Sequence, residues 1–329
     1  MRIIPILLLL LTILQLTSFG QKVEYSIPDG YEEEISKADY KKIVNVAVPI
    51  ISKRYTIDFV KDGTIQLKAG QDMEAFNLDN LIGKCVALSD KSQWNNMIHE
   101  HFQNMFTAID EQKKIDPKNF ESIKTYLSIR IYPKQTVIQR GGVASFVAKT
   151  DLEGTYTLLM LDLPGAFAPV KKQTFELWKR DSTEVFKIAQ QNINKQQVEK
   201  VTQTFKIDNT DIEITLLGNE DYSASYALDL INNSPDLVGE WGSVIAIPNK
   251  GLANICKINK DKPVDFVKFI QMTKPLTEKS YNEHPQPISD QYFWYYKGKF
   301  TRIDVQTDPK GNINVIPPVG LTALLTEQK

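Results

Sequence analysis

The chain has 329 residues, with 39 lysines and arginines against 40 aspartates and glutamates and a formal net charge of −1. That balance excludes the basic excess needed to grip a nucleic-acid backbone or an anionic membrane surface. Hydrophobic residues at 42% and aromatic residues at 10% can build a large core and exclude wholesale disorder.

Met1-Arg2 precedes a largely aliphatic run, Ile3 to Leu16, and then Thr17-Ser18-Phe19-Gly20. One positive charge, a short apolar stretch and small residues before Gln21 read as a secretory signal over residues 1–20, cleaved after Gly20. The run falls short of the roughly 20 apolar residues of a membrane span, so no stable membrane insertion is expected after cleavage. The expected location is periplasmic or extracellular.

Beyond it, Ser36 offers a helix cap with Asp39 three residues on, and Tyr40, Ile43, Val44, Ala47, Val48 and Ile51 keep helical spacing. Pro49 is expected to kink the end of that helix. Tyr55–Val60 and Ile65–Leu67 flank an Asp62-Gly63 pair, the strongest short-range hairpin signal. Leu78–Leu88 reads as a short helix. Trp94, Met97, Ile98, His101, Phe102, Met105, Phe106 and Ile109 form an unbroken stripe on a long amphipathic one. Another helical piece near Asn119 leads into the alternating Leu127–Tyr132. Gln139-Arg140-Gly141-Gly142 breaks the pattern. The expected division is therefore an N-terminal α+β region over 21–140, a C-terminal α+β region over 141–318 and a tail over 319–329.

In the second half, Val143–Ala148 and Thr155–Leu161 read as strands, and Asp181 caps a helix carrying Val185, Phe186, Ala189 and Ile193. Lys206–Ile212 reads as two strands about a polar turn, and Ser243–Ile247 as a strand ended by Pro248-Asn249. A helix is expected from Pro263. Tyr292–Tyr296, a Lys297-Gly298 turn and Lys299–Val305 form a hairpin, followed by a last strand at Ile313–Ile316. The sum is an α+β protein: hairpin-rich mixed sheets with flanking amphipathic helices.

Several second-half segments are similar to the YtpQ-like family, bacterial proteins of unassigned function. They are Leu158–Pro164, the helix with Ala189 and Asn192, Val244–Pro248, and Pro287–Tyr292 leading into its hairpin. The resemblance spans Leu127 to Val305 and implies an α+β fold. It carries over no catalytic residue, and the export signal departs from the family pattern.

The chemical candidates are few. His99-Glu100-His101 has a spacing of two, which on a helix turns the imidazoles about 200° apart, so no metal site is expected. Arg140-Gly141-Gly142 lacks the spacing and lysine of a phosphate loop, and no cofactor is expected. His284 in a proline-rich loop, Ser243 after Gly242 and Asp162 before Pro164 are the pieces of a dispersed hydrolase site, but the glycines around Ser243 are out of the nucleophile-elbow order. Trp294 and Tyr296 face the same side of their strand and, with Trp241, are the candidates for a stacking surface toward a protein or small-molecule partner. Cys85 and Cys256 allow one disulfide, worth about 4 kcal/mol in the loop-entropy account, or two separate buried thiols. Two readings follow: an exported, non-catalytic binding or interaction module of the cell envelope or extracellular space, and a hydrolase with a dispersed active site.

Overall fold

The first folded segments follow local rules closely. In the computed structural model, which describes residues 22–139, 141–207 and 210–327, a two-residue strand β1 (Lys22–Val23) precedes helix α1 (Lys37–Ser52). The expected signal segment lies outside the described residues. Ser36 caps α1 by accepting the Asp39 N–H at 3.1 Å, and Tyr40, Ile43, Val44, Ala47 and Ile51 are its buried face. The helix runs through Pro49 and stops only at Ser52.

Strands β2 (Ile57–Lys61) and β3 (Thr64–Leu67) pair across the two-residue turn Asp62-Gly63. Both turn residues have positive φ, +44° and +72°, which matches the right-handed twist of the strands. Tyr40 Oη accepts the Gly63 N–H at 3.1 Å and ties this turn to α1. β4 (Ala75–Asn77) completes a sheet in the order β1-β2-β3-β4. Helices α2 (Asp79–Ala87) and α3 (Trp94–Gln112) add Leu81, Ile82, Trp94, Ile98 and Phe102 to the same core.

The chain divides into two compact units, through Ile109 and from Asp110 onward. The division expected at residues 139–142 instead falls inside the second unit. A cut there would sever β5 (Leu127–Pro133) from β7 (Thr155–Leu163), which pair along all seven residues of β5. Before β5 lies the short helix α4 (Phe120–Ile123), capped by Asn119; after it comes α5 (Lys134–Gln139). The first half of the expected strand Val143–Ala148, residues 143–145, is turn, because Gly142 holds positive φ and accepts the Ser145 N–H through its carbonyl. Only β6 (Ala148–Lys149) remains, and with β8 (Ala166–Pro169) it flanks β7.

Then follow α6 (Lys172–Trp178) and α7 (Ser182–Ile193), the latter capped by Asp181 as its sequence predicts. β9 (Glu199–Ile207) and β10 (Thr210–Gly218) form a longer hairpin than residues 206–212 alone suggest. Short helices α8 (Ser223–Tyr226) and α9 (Leu230–Asn233) precede β11 (Ser243–Asn249) and β12 (Leu252–Lys257). The long helix α10 (Asp265–Asn282) leads to β13 (Tyr292–Tyr296), β14 (Lys299–Thr307) and β15 (Ile313–Ile316). The expected tail contains a final helix, α11 (Val319–Thr326), whose Leu321 is fully buried.

The large sheet runs β15-β14-β13-β11-β12-β10-β9 with antiparallel pairing, and its side chains alternate between two cores. Ile245, Ile247, Ala253, Ile255, Phe293 and Tyr295 face α7, the short helices and the inner face of the β5–β7 sheet. Val244, Ala246, Cys256, Tyr292 and Trp294 face α10 and α11. An α+β fold is thus established. Among the described residues no helix is long and apolar enough to cross a membrane.

Candidate functional site

The stacking surface expected from Trp294, Tyr296 and Trp241 is not open. Trp294 and Trp241 are buried, at 6% and 5% exposure, and only Tyr296 is partly open. Trp294 donates its indole N–H to the Trp241 carbonyl at 2.7 Å and stacks on Tyr296 at 4.9 Å. Helix α11 closes over it: a Cβ on Gly320 would come within 3.0 Å of the Trp294 ring. The physical reason is that β13 is an inner strand of a sheet covered on both sides, so both sets of alternating aromatics are core.

The hydrolase pieces are not assembled either. Ser243 is fully buried, and its hydroxyl donates to the Leu237 carbonyl at 2.7 Å. His284 Nδ1 accepts the Gln286 N–H at 3.0 Å, and Asp162 accepts from Tyr222 Oη at 2.6 Å. His99 is exposed and bonds the Asn95 carbonyl within its own helix, while His101 packs edge-on against Phe102. Among the described residues no group of His, Cys, Asp and Glu could hold a metal ion. Cys85 and Cys256 are free and buried in different units, so the optional disulfide is absent. Burial pushes their thiols up to about 11 and about 12, which keeps both protonated at neutral pH.

A different set of residues converges at the free edge of β5. Ile129 and Ile131 point into the core, so Arg130 lies on the opposite face of the strand, with only 11% of its side chain exposed. Its guanidinium stacks 3.5 Å above the ring of Phe167 on β8 and donates to Asp221 Oδ1 at 2.5 Å. Lys250, in the turn between β11 and β12, reaches the same Asp221 oxygen at 3.1 Å and is 17% exposed. The Asn219 side chain positions Asp221 by accepting its N–H and that of Tyr222.

Arg130 and Lys250 line a cleft of about 130 Å³ together with Ile131, Tyr132, Pro285 and Pro287. Arg130 Nε is buried without a hydrogen-bond partner. Such an orphaned charged donor is costly unless a ligand or water meets it. Two cations lining a small, partly apolar cleft have the chemistry to meet an anion, since guanidinium pairs with planar oxyanions through parallel hydrogen bonds. Asp162 stands behind the site on β7. Burial holds its carboxyl above the ordinary range, with Asp221 adding repulsion, while the Tyr222 hydrogen bond and the Arg130 charge oppose the rise.

A broader groove of about 670 Å³ runs along α7, where Lys149 pairs with Asp151 at 3.1 Å and several other polar groups are spent on one another. Gln190 donates to Asn194, and both Asn194 and Asn232 donate to Asp229. The cleft at β5 therefore has the stronger claim.

No family model matches the chain, and no curated protein or solved structure is detectably similar to it.

Nothing in the sequence groups Arg130, Phe167, Asp221, Tyr222 and Lys250. Arg130 follows the alternation Ser128, Arg130, Tyr132 of an ordinary half-exposed strand, and Lys250 sits in a turn where lysine is common. The only local signal was an arginine between two isoleucines, which does not distinguish a solvated face from a lined cleft.

Proposed function

We propose that this protein is an exported binding module of the cell envelope or extracellular space that takes up a small anion at Arg130 and Lys250. The observation that carries this reading is the pair of mostly buried cations lining one cleft. Asp221 offers a single oxygen to both cations and holds them in place without occupying the cleft wall. The bland alternative is an ion-pair network that only braces β5 against the turns at 221 and 250.

Calorimetric titration of the full chain with acetate and with inorganic phosphate separates the two. The expected result is saturable binding weakened about 10-fold or more by Arg130→Met, the scale of a lost charged hydrogen bond. Asp221→Asn should strengthen binding by removing the competing carboxylate. Absence of saturable binding by either anion overturns the reading.

A further inference from the structure

The cleft opens onto strand backbone as well as onto cations. β5 pairs only with β7 and is an edge of its sheet. In an antiparallel pair, alternate residues turn both backbone groups toward the partner or both away from it. Leu159, the partner of Ile129, gives its N–H to Val147 and its carbonyl to Val170, so the Ile129–Leu159 pair is not the bonded kind. Ile129 accordingly turns its carbonyl outward, where Ser225 Oγ donates to it at 2.8 Å. Two residues on, Ile131 turns its N–H and carbonyl to the same open edge, and Ile131 lines the cleft.

That edge is blocked on one side. Ser225 and the start of α8 occupy it at Ile129, so a strand laid along Ile131 cannot continue past Arg130. A chain lying there has to end there, and Arg130 with Lys250 at the stop select a carboxylate end over an ammonium end. A second, apolar cavity of about 90 Å³ adjoins it, sharing Tyr132 and Thr136 as lining and walled by Val137, Leu158, Met160 and Phe167. It is smaller than the roughly 150 Å³ that holds a benzene ring, which suits a short aliphatic side chain.

We infer that the anion is the C-terminal carboxylate of an extended peptide ending in a small aliphatic residue. The carboxylate meets Arg130 and Lys250, the last peptide N–H meets the Ile131 carbonyl, and the terminal side chain enters the apolar cavity. This inference rests on the anion-binding reading above, and it adds an amide and a side chain to it. Recognition by strand addition uses these same elements, main-chain hydrogen bonds for affinity and a pocket for specificity.

Titration of the full chain with N-acetyl-leucine, N-acetyl-leucinamide, hexanoate and acetate tests it without any variant. N-acetyl-leucine should bind at least 10-fold tighter than hexanoate, which has a comparable apolar tail and carboxylate but no amide. N-acetyl-leucinamide, lacking the carboxylate, should bind at least 10-fold more weakly than the acid. The Ile131 carbonyl carbon resonance should shift on saturation with N-acetyl-leucine and not with hexanoate, which has no N–H to donate. Equal affinity for hexanoate and N-acetyl-leucine overturns the peptide inference and leaves the anion reading standing. Equal affinity for the acid and its amide, or no binding by any of the three carboxylates, overturns the peptide inference, and absence of binding by inorganic phosphate as well overturns the anion reading with it.

Discussion

Two aromatic groups of the C-terminal unit make opposite use of the same residue types. Tyr292–Tyr296 is contiguous in sequence, lies on an inner strand and has four of its five side chains buried. Tyr132, Phe146, Tyr156 and Phe167 are scattered over the chain and remain half-buried around the small cluster of Val137, Leu158 and Met160. A dense aromatic run is thus a statement about packing, because a strand that alternates aromatics on both faces needs a cover on both. Partly open aromatics beside a buried arginine are the ones placed to meet a ligand.

The comparison predicts that Trp294→Ala has the largest effect on stability and none specific to binding. Removing this ring from between α11 and Tyr296 should cost about 3–5 kcal/mol, read as a lowered urea midpoint. A loss below about 1 kcal/mol would mean that α11 does not pack on the sheet. Gly242→Ala should come next, at about 2–4 kcal/mol, from overpacking and a left-handed backbone. Gly242 has φ +81°, and a Cβ there would lie 2.1 Å from the Tyr295 carbonyl oxygen. Gly242 is therefore a packing device against β13, and Gly239, where a Cβ would lie 2.4 Å from the Ile258 carbonyl oxygen, is one against the chain just after β12. Phe167→Ala should cost less, about 2 kcal/mol, because the ring is only half-buried. It should nevertheless weaken N-acetyl-leucine binding, since the ring both supports Arg130 and walls the apolar cavity. A Phe167→Ala protein that binds as the wild type does would detach that group from the site.

What the sequence made legible was whatever is settled within a few residues. The Ser36 and Asp181 caps, the Asp62-Gly63 hairpin and the Tyr292–Val305 hairpin all depend on neighbours along the chain, and each forms where its residues predict. The cleft depends on approaches across long separations. Arg130 meets Asp221 91 residues away, and Lys250 meets Asp221 across 29. None of the three breaks its local pattern. The residues after Pro318 read as a tail because Val319–Thr326 is short, carries no charge and lacks the polar face of an amphipathic helix. Its Leu321, Leu324 and Leu325 join the core that holds Trp294, a contact the alternation of β13 could not announce. The boundary failed for a related reason: two glycines look like a linker locally, and only strand pairing between β5 and β7 shows that they sit within a unit.

The smallest predicted effect sharpens the contrast at the open site itself. Asp162 is held above its ordinary value of 3.8, first by burial, against the pull of Tyr222 and Arg130. For an acid whose folded-state value exceeds its unfolded one, the contribution to stability is complete below the unfolded value and is lost as pH rises through the folded one. Relative to a variant without this carboxyl, the wild-type protein should therefore lose a little stability from pH 3.8 upward, the difference levelling off once Asp162 is ionised in the folded state. Asp162→Asn keeps an oxygen to accept the Tyr222 hydroxyl and removes the charge, so its stability should lack that decline. Parallel pH profiles for the two proteins would show that burial does not penalise the carboxylate. The same variant strips a negative charge from behind Arg130, and acetate should bind it a few-fold more tightly at pH 7. No comparable gain should follow any change around Trp294, where neither charge nor opening is present to be altered.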